Sequence, residues 1–106
     1  MVKRGEIWLA ALDPTIGSEI QKTRPCIVIS PPEMNGHLRT AIVAPMTTGG
    51  RPAGFRLALR FDGKDGLVLF DQIRALDQIR LVKRLGRVDD NILKATLSIL
   101  RDIFAD

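Results

Sequence analysis

The chain has 106 residues, 45% hydrophobic and 26% charged, which suffices for one domain with one core and argues against disorder. Its net charge of +4 and pI near 9.8 favour an anionic partner, nucleic acid or an acidic peptide. No apolar stretch follows Met1-Val2-Lys3-Arg4, and no window approaches the ~20 residues of a membrane-spanning helix, so a cytoplasmic protein without membrane contact is expected.

Ile7-Trp8-Leu9-Ala10-Ala11-Leu12 reads as a strand that Asp13-Pro14 breaks. The polar, glycine-bearing loop from there to Thr23 is long for a hairpin, which marks it as functional. Cys26 to Ser30 is a continuous apolar run, expected to be a strand buried on both faces, with Cys26 a reduced internal thiol. Pro31-Pro32-Glu33-Met34-Asn35-Gly36 ends it. Thr40 to Met46 reads as a third strand, and Gly49-Gly50-Arg51-Pro52 opens a flexible loop.

Phe55 to Phe61 alternates strictly, predicting Phe55, Leu57, Leu59 and Phe61 toward the core with Arg56 and Arg60 outward. Asp62-Gly63-Lys64-Asp65-Gly66 is a hairpin turn. Leu67 to Ile73 and Leu81 to Val88 are the remaining strands. Asp89 is a good helix N-cap with Asp90 in the first turn. Beyond it Leu93, Leu97, Leu100 and Phe104 recur at helical spacing, broadened by Ile92, Ile99 and Ile103. Six short strands and one terminal helix fit a mainly β fold with a C-terminal helix, a small curled barrel, over one domain of residues 1–106. Asp71-Gln72-Ile73-Arg74 recurs as Asp77-Gln78-Ile79-Arg80. Six residues are too few for a repeated supersecondary unit, so the echo is read as coincidence.

The chemistry gathers at strand ends. Arg24 precedes Pro25, which favours an extended backbone there, and its planar fork suits two phosphate oxygens. By itself it is equally a surface arginine or the partner of Glu19. Thr47 and Thr48 end the third strand, where threonine often just bonds a turn. Glu19 and Asp71 are the carboxylates expected near the same site, one of them a base for a ribose 2′-hydroxyl. The only histidine, His37, lies in a loop, so a two-histidine ribonuclease mechanism within one subunit is excluded. One cysteine and one histidine offer no metal centre, and no cofactor is expected. Lys83, Arg84 and Arg87 form a basic run near the last strand.

Gly5-Glu6-Ile7-Trp8, Asp13-Pro14, Gly17-Ser18-Glu19, Arg24-Pro25, Pro45-Met46-Thr47-Thr48 and Asp71-Gln72-Ile73-Arg74, in this order and spacing, resemble the MazF/PemK (Kid) toxins of type II toxin–antitoxin pairs. The resemblance implies an SH3-like small barrel (the MazF/PemK/CcdB-like toxin fold). It also implies a metal-independent endoribonuclease that cuts single-stranded mRNA at a short sequence, leaving a 2′,3′-cyclic phosphate and a 5′-hydroxyl. It makes Arg24 and Thr47 catalytic, with Glu19 or Asp71 as the base. Thr48, Gln72, Arg74, Lys22, Gly17 and Ser18 become substrate contacts. It further implies a homodimer and a cognate acidic antitoxin. Leu69 departs from relatives that carry a second arginine there, which weakens an acid–base pair built on that segment. Two other classes are a gyrase poison of the same barrel, whose Trp-Gly-Ile terminus this chain lacks, and a non-catalytic SH3-like RNA- or peptide-binding module.

Overall fold

The computed structural model describes residues 2–106. In chain order it runs β1 (Glu6–Ala11), β2 (Thr23–Val28), α1 (Pro32–Asn35), β3 (Thr40–Thr47), β4 (Arg56–Phe61), β5 (Lys64–Leu69), β6 (Arg74–Asp77), β7 (Leu81–Arg87) and α2 (Asp90–Ile103). The strands form one antiparallel sheet in the order β4-β5-β3-β2-β1-β7, with β6 also pairing with β3. Strand β3 is the hub. Its first half, Thr40 to Val43, pairs with β6, its last two residues with β5, and Val43 to Pro45 with β2.

The sheet is curled rather than flat. Two register irregularities between β1 and β7, at Ile7/Trp8 and Leu9/Ala10, add the local twist that bulges impart. They swing β7 round toward the β4–β5 hairpin, so that a Cβ at Gly86 would lie 3.8 Å from the Phe61 ring. The result is a half-barrel with a cleft along its open seam.

The sheet buries apolar residues on both faces. Ile27 and Ile29 join Ile7, Met46, Val68, Phe70 and Leu100 on one side, while Cys26 and Val28 join Ala10, Leu12, Val43 and Leu76 on the other. The two-faced burial expected of the Cys26 run is therefore present, although β2 itself starts earlier, at Thr23. Burial pushes the Cys26 thiol up to about 12, so it is no nucleophile at neutral pH. Helix α2 lays Ile92, Leu93, Leu97, Ile99 and Leu100 against the first cluster. It begins at the expected cap: the Asp89 carboxylate accepts the Ile92 N–H at 2.8 Å.

Several boundaries differ from the sequence expectation. The run Leu67 to Ile73 is not one strand. Strand β5 starts at Lys64, directly after an Asp62-Gly63 turn whose residues both have positive φ. It ends at Leu69, where a 3-10 turn, Phe70–Gln72, leads into the additional strand β6. Helix α1 was also not anticipated; Pro32 starts it because proline lacks only an N–H that a first turn leaves unbonded. Phe55 lies outside β4 and is 45% exposed, and Phe104, at the end of α2, is 72% exposed. The helical stripe is thus mostly internal core, with Ile103 and Phe104 left in solvent. No helix among the described residues is long and apolar enough to cross a membrane.

The two Asp-Gln-Ile-Arg copies share a job. The first spans the end of the 3-10 turn Phe70–Gln72 and the start of β6, and the second the last residue of β6 and a 3-10 turn, Gln78–Arg80. The Gln72 amide bonds the Ile20 and Ser18 backbone, and the Gln78 amide donates to the Asn35, Leu38 and Thr40 carbonyls. Arg74 donates to the Leu12 carbonyl and Arg80 to those of Ala11 and Asp13. The similarity has a physical content: both copies pin neighbouring loops to the sheet.

Candidate active site

The register between β2 and β3 sets Cys26 opposite Pro45. The ladder stops there, with Arg24 two residues before Cys26 and Thr47 two residues after Pro45, so both lie just beyond its end. Both side chains, with Thr48, line a cavity of about 450 Å³ in the seam of the half-barrel. Its walls are apolar, built from Leu9, Met46, Leu59, Phe61 and Leu85, and its rim carries Asp62 and Lys64 from the β4–β5 turn.

Arg24 is held by its own loop: its Nε donates to the Gln21 carbonyl at 3.0 Å. No carboxylate pairs with it among the described residues, so the Glu19 ion pair does not form and the guanidinium's terminal nitrogens remain available to an anion. Thr47 Oγ1 accepts the Gly49 N–H at 3.2 Å, the turn bond expected of a strand-end threonine, and still has its own hydroxyl proton to donate. Thr47 is set in place by Gly66 on β5. A Cβ added there would lie 2.6 Å from the Thr47 carbonyl oxygen, so the two backbones meet closer than any side chain allows.

The other sequence-derived residues gather elsewhere. Ser18, Glu19, Asp71, Gln72 and Arg74 line a second cavity, of about 380 Å³. There the Glu19 carboxylate accepts the Ile16 N–H at 2.6 Å. Asp71 is bound by Arg56 through both oxygens, at 3.1 and 3.0 Å. The Arg56 guanidinium holds the Asp71 carboxyl below its ordinary range despite partial burial, which makes it a weaker base. Gln72 accepts the Ile20 N–H at 2.6 Å, and Arg74 spends a nitrogen on the Leu12 carbonyl. Gly17 and Lys22 belong to the β1–β2 loop. Both have positive φ, and the Lys22 carbonyl accepts the Leu12 N–H at 2.9 Å, closing the loop at its base.

Asp62 and Lys64 carry no local mark of a site residue in the sequence, yet they line the cleft. Their turn was recognised, but only the curl of the sheet carries it to Arg24. A turn with unlike charges flanking a glycine is the one local signal, and it is a weak one. His37 is exposed and bonds only the Glu33 carbonyl locally. No group of three metal-ligating side chains occurs among the described residues.

A family model described as PemK-like, MazF-like toxin of type II toxin-antitoxin system matches residues 3–104. The chain belongs to this family. It is 43% identical over 108 aligned positions to Endoribonuclease PemK of Escherichia coli, covering 96% of this chain and 81% of that one. It is 34% identical to Endoribonuclease EndoA of Bacillus subtilis strain 168, covering 88% of this chain and 85% of the relative. Among solved structures, MazF from Deinococcus radiodurans superposes with a TM-score of 0.84 at 25% identity, over 96% of this chain and 94% of that chain. The curled sheet with a terminal helix is thus the MazF/PemK fold, as the sequence motifs implied.

Proposed function

We propose that this MazF/PemK-family toxin acts in the cytoplasm as a sequence-specific endoribonuclease on single-stranded mRNA. The observation that supports it best is the meeting of Arg24 and Thr47 in one apolar-walled cleft, the guanidinium unpaired and the hydroxyl able to donate. The 2′-oxygen of the substrate attacks the adjacent phosphorus while the bond to the 5′-oxygen breaks. Products are a 2′,3′-cyclic phosphate and a 5′-hydroxyl. Arg24 stabilises charge on the non-bridging oxygens as the phosphorane forms, and Thr47 donates to one of them. Apolar walls around these donors lower the local dielectric and strengthen both interactions. The 2′-hydroxyl proton passes to water, since Glu19 and Asp71 both line the second cavity and not this cleft, and the leaving oxygen takes a proton from water. Thr48 contacts the backbone of the bound strand.

No step in this scheme calls for a metal. The working unit is a homodimer, because one short cleft grips few nucleotides and the exposed Ile103 and Phe104 at the end of α2 offer an apolar contact. A type II toxin has an antitoxin, and a disordered acidic segment would bind the +4 surface by charge and apolar anchors. Incubating the purified protein with a long RNA in EDTA, then mapping both ends at each cut, tests the proposal. Cuts at a recurring short sequence with cyclic-phosphate ends are expected. No cleavage, or 3′-hydroxyl ends, would defeat it.

A further inference from the structure

The 3-10 turn Phe70–Gln72 sits between the two loops that lead into the cleft. Its first residue, Phe70, is buried in the core, so the turn is a fixed point. From it, Asp71 reaches to one loop and Gln72 to the other. Asp71 binds Arg56 through both carboxylate oxygens, and Arg56 in turn donates to the Arg51 carbonyl at 3.0 Å and lies 5.7 Å from the Phe55 ring centre. That chain of contacts restrains the β3–β4 loop, residues 48–55, which begins directly after Thr47. Gln72 accepts the Ile20 N–H and approaches the Ser18 carbonyl at 3.5 Å, restraining the β1–β2 loop, which ends two residues before Arg24.

We propose that Asp71 and Gln72 are positioning residues, a two-armed clasp on one rigid turn that fixes, relative to each other, the loops that adjoin Arg24 on β2 and Thr47 on β3. Asp71 then takes no proton from the substrate. Its bidentate pairing leaves little carboxylate free for a 2′-hydroxyl, and the pairing lowers its basicity. Loops of this length are free to move by more than the ~1 Å that costs a catalytic site about 10²-fold, so anchoring both to one point preserves the cleft. This role rests on the ribonuclease reading above, but its structural half does not.

The test combines hydrogen exchange with cleavage kinetics on the intact protein. Asp71→Ala and Arg56→Ala should each raise amide exchange in residues 48–55 and leave the β2 core amides unchanged. Gln72→Ala should strip protection from the Ile20 amide, and Gln72→Glu, which keeps the acceptor, should retain it. In cleavage, Asp71→Ala and Arg56→Ala should lose similar factors, about 10- to 100-fold, chiefly in kcat. Their double variant should be within about 3-fold of either, as expected of two halves of one contact. An Asp71→Ala loss more than about 100-fold deeper than that of Arg56→Ala would make Asp71 a reacting group and overturn the clasp. Unchanged loop exchange in all variants would also overturn it. If the wild-type protein cut no RNA, the ribonuclease reading would fail while the exchange results still decided the clasp.

Discussion

Gly66→Ala is the sharpest perturbation of the cleft that touches no reacting atom. The added methyl would sit 2.6 Å from the Thr47 carbonyl oxygen and 3.3 Å from its carbonyl carbon, against the 3.4 Å at which ordinary contact begins. Both atoms are backbone, so no side chain can swing aside. Strands β3 and β5 must part by roughly 0.8 Å at the end that presents Thr47. Overpacking of this kind costs about 1–3 kcal/mol, and a displacement near 1 Å at a reacting group costs about 10²-fold in rate. The assay is cleavage of a defined RNA at saturating substrate, with thermal melting on the same preparation. Gly54→Ala is the control, since nothing lies within 4 Å of its added carbon. A folded Gly66→Ala protein with near-wild-type kcat and melting temperature would refute the close-approach argument and the placement of Thr47 in the chemistry.

Arg24→Ala should lower the cleavage rate at least ~10²-fold, the scale for losing a transition-state donor, and Thr47→Ala should act in the same direction more mildly; circular dichroism checks that both remain folded. Glu6 should confer acid-sensitive stability. Burial acts to raise its pKa, but the Lys3 N–H, the Trp8 indole and the Arg84 guanidinium outweigh that and hold it below 4.5. Its contribution is full above pH 4.5 and lost as pH falls through the lower folded value. The melting-temperature gap between wild type and Glu6→Gln should therefore close on acidification below that range, and a pH-independent gap would speak against it. Phe104→Asp should shift the protein toward monomer in sedimentation at micromolar concentration; a wild type that is itself monomeric and fully active would reject the dimer.

Local signals carried most of the elements, and the resemblance to the MazF/PemK motifs carried the two central residues. Neighbouring residues mark Arg24 before Pro25 and Thr47 at the end of an apolar run as strand-end polar residues, and the β2–β3 ladder, ending at Cys26 and Pro45, leaves both lining one cavity. Strict alternation identified β4, and a capping aspartate identified the start of α2. What escaped depends on the curl of the sheet or on pairing across it. The Asp62-Gly63 turn reaches Arg24 only because β7 and the β4–β5 hairpin close around the cleft. Alternation correctly takes Arg56 out of the core, but it cannot tell that Asp71, fifteen residues on, waits there with both oxygens. Strand β6 is hard to read from sequence because it is only Arg74–Asp77, with just Ala75 and Leu76 apolar, and follows the polar Asp71-Gln72 of the 3-10 turn. Asp71 and Gln72 look like site residues in the sequence, whereas in the fold Asp71 binds Arg56 at the start of β4 and Gln72 binds the β1–β2 loop.

The central claim, attack by the substrate's own 2′-oxygen, is tested most directly by removing that oxygen. An RNA carrying one 2′-deoxyribose immediately 5′ of a mapped scissile phosphate should bind with the affinity of the all-ribose strand and remain uncut at that position. Cutting at the modified position would mean that an activated water, not the ribose, attacks phosphorus, and would contradict the roles given to Arg24 and Thr47.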